Sequence, residues 1–197
     1  VKQTFSYFLI TDRRLYREPL ESVARCAERA GVDYFQLREK DLPSSDLIEL
    51  ARRIRVELVG TKFVINGELG VAIAAGADGV HLQKGNVPVA AVRRHFPEMM
   101  IGYSAHSEQE IRNAEREGAD YVFCSPVFPP RSKKSDLEPV GCKTLASWIQ
   151  GIRLPVFGLG GVEMSNVRDL QEAGCRGAAG ISLFVKKGYF DSTGMVT

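Results

Sequence analysis

A chain of 197 residues with 44% apolar and 25% charged residues is long enough to bury one substantial core, and the expectation is a single domain over 1–197. Its 26 basic and 24 acidic residues leave a net charge of +2, which argues against the concentrated positive surface of a nucleic-acid binder. No apolar run approaches the roughly 18 residues of a spanning helix, and the scattered cysteines Cys26, Cys124, Cys142 and Cys175 form no C-x-x-C pair from which a zinc site or disulfide framework could be read.

The opening VKQTFSYFLITD lacks the layout of a signal peptide. The expectation is a cytoplasmic protein with free thiols that binds neither nucleic acid nor membrane. In chain order the predicted strands are FSYFLITD (5–12), DYFQLREK (33–40), KFVING (62–67), GVHLQK (79–84), MIGYSAH (100–106), DYVFCSPVF (120–128), LPVFGLGG (154–161) and GAAGISLF (177–184). Between them LESVARCAERAG, SSDLIELARRIRVEL, SEQEIRNAEREG and SNVRDLQEAG space apolar residues three and four apart, as amphipathic helices do. The joints AGVDYF, AGADGVHL, EGADYVF, QGIRLPVFG and AGCRGAAG repeat one theme, in which a small residue and Gly close a helix and an apolar strand follows. Alternating strands and helices predict an α/β fold with parallel strands, and eight units predict a single closed (β/α)8 TIM barrel. A doubly wound open sheet is the alternative, but the topological switch point it needs is not marked in the sequence.

Barrels of this kind bind ligands at the C-terminal ends of their strands, and polar residues gather there. Read as a strand through residue 40, the second strand turns Gln36, Arg38 and Lys40 to one face and Leu37 and Glu39 to the other. Two cations on one buried face call for an anion, because an unpaired charge is costly to desolvate. The third strand ends in Asn66, followed by Gly67 and Glu68. The fourth carries His81, Gln83 and Lys84 before Gly85 and Asn86, and the fifth carries Ser104 and His106. After the sixth, the loop VFPPRSKKSDLEPVG gathers Arg131, Lys133 and Lys134, a composition suited to covering an anionic ligand. Glycines in GLGG, with Gly160 and Gly161, and in AAGIS, with Ile181 and Ser182, let a phosphate approach backbone N–H groups. Taken singly, each of these also suits a solvated loop or a tight turn. Taken together they describe a cationic anion site from strands two and six and a backbone anion site from strands seven and eight, matching a diphosphate and a monophosphate.

The ordered set QLREK, FVIN, GADGVHL, IGYSAHS, GADYVFCSPVFPPRSKK, LPVFGLGGV and GAAGIS resembles the family of thiamine phosphate synthases and their relatives, the thiazole tautomerases. The resemblance implies a (β/α)8 barrel and a transferase of thiamine biosynthesis. Its substrates would be hydroxymethylpyrimidine diphosphate, which ionises by losing pyrophosphate, and a thiazole phosphate, whose ring nitrogen captures the resulting cation. By position it implies that Gln36, Arg38, Lys40, Asn66, Ser104 and Lys133 contact the pyrimidine and pyrophosphate, with Arg38, Lys40, Lys133 and Ser104 as the catalytic members. It implies Ser132, Gly160, Gly161, Ile181 and Ser182 as thiazole phosphate contacts, and Mg2+ as cofactor. The synthase pattern places Asp where Gly67 and Asn86 stand, with Glu68 as a neighbouring carboxylate, and Thr where Pro130 stands. The tautomerase alternative acts on thiazole phosphate through a His near the end of strand six, where this chain has Pro126, leaving His81 and His106 as candidate proton carriers or substrate contacts. A barrel that binds a thiamine-precursor phosphate without catalysis is a third reading. The partners expected are small phosphate and diphosphate substrates, and a homo-oligomer is compatible with the sequence.

Overall fold

The computed structural model describes residues 4–129 and 138–184. Its strands are β1 (Ser6–Ile10), β2 (Tyr34–Leu37), β3 (Lys62–Asn66), β4 (Gly79–Leu82), β5 (Met100–Ala105), β6 (Tyr121–Cys124), β7 (Val156–Gly158) and β8 (Gly177–Gly180). Between them run α1 (Leu20–Arg29), α2 (Ser44–Arg55), α3 (Leu69–Ala74), α4 (Val89–His95), α5 (Glu108–Glu117), α6 (Cys142–Trp148) and α7 (Val167–Glu172). The strands follow one another in chain order around a closed barrel, the predicted (β/α)8 architecture. Pairing is parallel, with Phe35 opposite Phe63 between β2 and β3 and Ser104 opposite Phe123 between β5 and β6. Among the described residues no helix is long and apolar enough to cross a membrane.

Each predicted strand is present and each is shorter at its C-terminal end, so the residues after Leu37, Leu82, Cys124 and Gly158 belong to loops. The helices form where the apolar spacing places them. In α1, Leu20, Val23, Ala24 and Ala27 make one buried stripe. In α5, the Ser107 hydroxyl accepts from the Glu110 N–H at 3.2 Å, and Gly118 ends the helix with φ +87°.

The chain divides into two compact units: among the described residues, one holds Tyr7–Val80 and the stretch from Ile181, the other His81–Gly180 and the stretch up to Ser6. In the first, Phe8 stacks on Tyr34 at 4.7 Å and Phe35 tilts against Phe63 at 6.3 Å. In the second, His81 and Phe123 stack at 4.2 Å, and Tyr121 and Phe157 pack edge-on at 5.8 Å. Gly102 makes room for that cluster, since a Cβ there would lie 2.1 Å from Tyr121 Cζ.

The repeated joints carry a second device. The carboxylates of Asp33, Asp78 and Asp120 accept from the N–H of Tyr7 (2.8 Å), Phe63 (2.8 Å) and Ile101 (2.7 Å). Each acceptor thus fastens the second residue of the strand before it. Glu28 in α1 holds the N–H groups of Gly60 and Thr61 at 2.8 and 2.9 Å, and Glu115 in α5 holds those of Arg153 and Leu154 at 2.7 and 3.1 Å. These clamps satisfy donors at the N-terminal ends of the strands, the end that serves stability in such barrels.

Candidate active site

In the unit holding Tyr7–Val80, the polar residues gather at the ends of β2 and β3. Gln36 is 1% exposed, and its Nε2 donates to Asn66 Oδ1 at 3.0 Å. Its Oε1 is buried with no hydrogen-bond partner among the described residues. An acceptor left so costs about 1–3 kcal/mol, which a ligand N–H would recover.

β2 stops at Leu37, which corrects the reading of one strand running through residue 40. The chain leaves the ladder because the Arg38 N–H bonds the Thr11 hydroxyl, at 2.9 Å, in place of a strand carbonyl. Arg38 is half-buried and Lys40 is exposed in the turn that follows. Burial pulls the Arg38 pKa down, while the charges of Asp12 and Glu39 hold it up. Between the two cations, Glu39 is buried, and its carboxylate accepts from Thr11 Oγ1 at 2.6 Å and from Arg13 Nη1 at 3.1 Å. Thr11 and Arg13 carry no local sequence signal for this role, because they lie at least 26 residues from their partner.

In the unit holding His81–Gly180, His81 and Ser104 come together. The ring of His81 is 2% exposed, with Nε2 2.8 Å from Ser104 Oγ and Nδ1 3.2 Å from the Tyr121 hydroxyl. Burial pulls its pKa down to about 3, so the imidazole is neutral at pH 7. Both of its nitrogens are engaged within the fold, and the group it orients is the Ser104 hydroxyl. His106 is exposed, and its Nδ1–H donates to the Ser125 carbonyl at 2.6 Å.

Gly160 and Gly161 have φ of +86° and +65°. A Cβ on Gly160 would lie 2.8 Å from Pro126 Cα, and one on Gly161 2.6 Å from the Pro129 carbonyl. Val127 N–H donates to the Leu159 carbonyl at 2.9 Å and Phe128 N–H to the Gly160 carbonyl at 3.0 Å. The glycines therefore let the loop after β6 lie against the loop after β7. Among the described residues nothing accepts a hydrogen bond from the N–H of Gly160 or Gly161. Ile181 and Ser182 lie in the turn directly after β8, with Ser182 exposed. Ser132 and Lys133, with Pro130, Arg131 and Lys134, lie outside the described residues.

The residues at the expected magnesium positions do not fit that ion. Gly67 offers no side chain, and Asn86 Oδ1 closes its own turn by accepting from the Gln83 N–H at 2.9 Å. Glu68 is exposed at the start of α3. Mg2+ is ordinarily held through one or two carboxylates, and neither Gly67 nor Asn86 supplies one. Among the described residues there is also no group of three His, Cys, Asp or Glu side chains that could hold a metal.

The family model described as thiamine monophosphate synthase matches residues 7–184. The chain belongs to that family. Among relatives in the thiamine monophosphate synthase family, the thiamine-phosphate synthase of Methanoculleus marisnigri is 39% identical over 93% of this chain and 89% of its own. That of Syntrophomonas wolfei is 38% identical over 92% of this chain and 89% of its own. A solved structure, the thiamine phosphate pyrophosphorylase of Pyrococcus furiosus, superposes with a TM-score of 0.84 at 28% identity, covering 97% of this chain and 93% of that one.

Proposed function

We propose that this chain is a thiamine phosphate synthase, joining hydroxymethylpyrimidine diphosphate to a thiazole phosphate and releasing pyrophosphate. The observation that carries the reading beyond family membership is the Gln36 amide, buried with one oxygen unclaimed and held by Asn66. Such an acceptor suits an N–H on the edge of an aminopyrimidine ring. In this reading Gln36 and Asn66 hold the pyrimidine, while Arg38, Lys40 and Lys133 receive the charge that develops on the leaving group.

The bond from the pyrimidine methylene to the diphosphate oxygen breaks, and its electron pair leaves with pyrophosphate. The lone pair of the thiazole nitrogen then forms the new C–N bond. No proton is transferred in either event, so the demand on the protein is electrostatic, and cations aimed at the leaving oxygens meet it. A neutral His81 fits this chemistry as a holder of Ser104. The N–H groups of Gly160 and Gly161, with Ser132, Ile181 and Ser182, are assigned to the thiazole phosphate.

The test is to supply both substrates with Mg2+ and follow pyrophosphate release. Release that depends on the thiazole phosphate supports the synthase reading. No release, with both substrates shown to bind, overturns it.

A further inference from the structure

The segment QLREKD alternates charges: Arg38 and Lys40 are interleaved with Glu39 and Asp41. Anions set beside the cations would compete with any ligand for them. In the structure a third cation, from the loop after β1, takes both carboxylates. Arg13 Nη1 lies 3.1 Å from Glu39 Oε2, while its Nη1 and Nη2 reach the two oxygens of Asp41 at 2.6 and 2.7 Å. The Arg13 backbone N–H is shared by the two oxygens of Glu39, 3.1 Å from each, and the Thr11 hydroxyl completes the enclosure at 2.6 Å. The Glu39 side chain is 2% exposed, whereas that of Asp41 is 54% exposed. Arg38, half-buried, forms no ion pair with a described residue.

We propose that Arg13 is a positioning residue for the pyrophosphate site: by occupying Glu39 and Asp41 it keeps Arg38 out of an internal ion pair and available to the leaving group. The inference rests on the synthase reading above. Glu39 is the nearest competitor in sequence, and its charge already acts on Arg38. Were the Arg13 guanidinium removed, the buried Glu39 carboxylate would need another cation, and Arg38 is next to it in the chain. The backbone N–H of residue 13 and the Thr11 hydroxyl would still bond Glu39, so the loop keeps two of its anchors.

The prediction separates charge competition from simple bracing. Inorganic pyrophosphate binding, with Mg2+ present, and thiazole phosphate binding are measured by calorimetry for the wild type, Arg13→Gln, Glu39→Gln and the double variant. Arg13→Gln is expected to raise the Kd for pyrophosphate about tenfold, with thiazole phosphate binding unchanged. The double variant, which removes the competing carboxylate as well, is expected to return to within about threefold of wild type. A brace predicts the reverse, a double variant no better than Arg13→Gln, and that result overturns the inference. If Arg13→Gln does not fold, Arg13→Lys takes its place with its own outcomes. The lysine still gives the carboxylates a cation but loses the two-pronged geometry, so charge competition predicts pyrophosphate binding within about threefold of wild type. A loss of about tenfold would show a brace and overturn the inference. Wild type that fails to bind pyrophosphate removes the synthase reading and this inference together. Wild type that binds, with every variant unchanged, removes the inference alone.

Discussion

The neutral His81 makes a quantitative prediction about pH. Its ring is buried against Phe123, with Ser104 and Tyr121 on its nitrogens, and its pKa is pulled down to about 3 by desolvation. In the unfolded chain the same imidazole titrates at about 6.5. Below that value the unfolded state takes up a proton that the folded state refuses, so stability falls as pH falls. The contribution is complete above the unfolded pKa, and its loss is complete only below the folded one. Between pH 7 and pH 4 this single group removes roughly 3 kcal/mol, with a limiting slope of about 1.4 kcal/mol per pH unit. That is a large part of the ~5–15 kcal/mol by which domains are stable. The assay is urea unfolding at half-unit pH steps for wild type and His81→Phe. Phenylalanine keeps a ring to stack on Phe123 but cannot titrate, and the carboxylates contribute equally to both proteins. Wild type is expected to lose roughly 3 kcal/mol more than His81→Phe between pH 7 and pH 4. Parallel curves would refute a buried, neutral His81.

Other expectations follow from single contacts. Lys40→Ala weakens pyrophosphate binding and leaves thiazole phosphate binding unchanged in calorimetry, and equal loss of both would end the assignment of two separate anion sites. Asn86→Asp keeps the acceptor that serves the Gln83 N–H and adds a carboxylate, so Mg2+ binding measured by calorimetry should tighten, by about tenfold for ~1.4 kcal/mol of new interaction; binding no tighter than in wild type would show that the missing carboxylate at residue 86 is not what keeps the ion from fitting. Asp120→Ala strands the Ile101 N–H at the start of β5 and should cost about 1–3 kcal/mol in urea unfolding with kcat unchanged. A fall in kcat without a fall in stability would contradict the purely structural role given to that clamp.

The barrel was legible because it rests on local chemistry. Apolar runs, amphipathic spacing and glycine joints recur along the chain, and each predicted strand is found. Strand ends were less legible, since they depend on partners elsewhere. Arg38 leaves the ladder for a hydroxyl 27 residues away, which no local alternation records. The Asp of GVD and GAD was visible as a recurring letter, but its role depends on the strand it fastens. Gln36 and Asn66 could be read from their positions at strand ends, and the hydrogen bond between them required the parallel register of β2 and β3. In the sequence Gly160 and Gly161 read as glycines that let a phosphate approach backbone N–H groups, whereas the reason visible in the structure is the close approach of Pro126 and Pro129. Arg13 gave no signal, because its two carboxylate partners lie 26 and 28 residues away.

In the proposed reaction one C–O bond is exchanged for one C–N bond, with the cations of the QLREK segment serving the leaving group. The stoichiometry of thiamine phosphate and pyrophosphate, with both substrates supplied to the wild-type protein, distinguishes this exchange from any other reaction at the site. One thiamine phosphate is expected for each pyrophosphate released, and none of either when Arg38 and Lys40 are both replaced by Ala. Pyrophosphate released without thiamine phosphate, or aromatisation of a thiazole phosphate tautomer as the sole reaction, would contradict it.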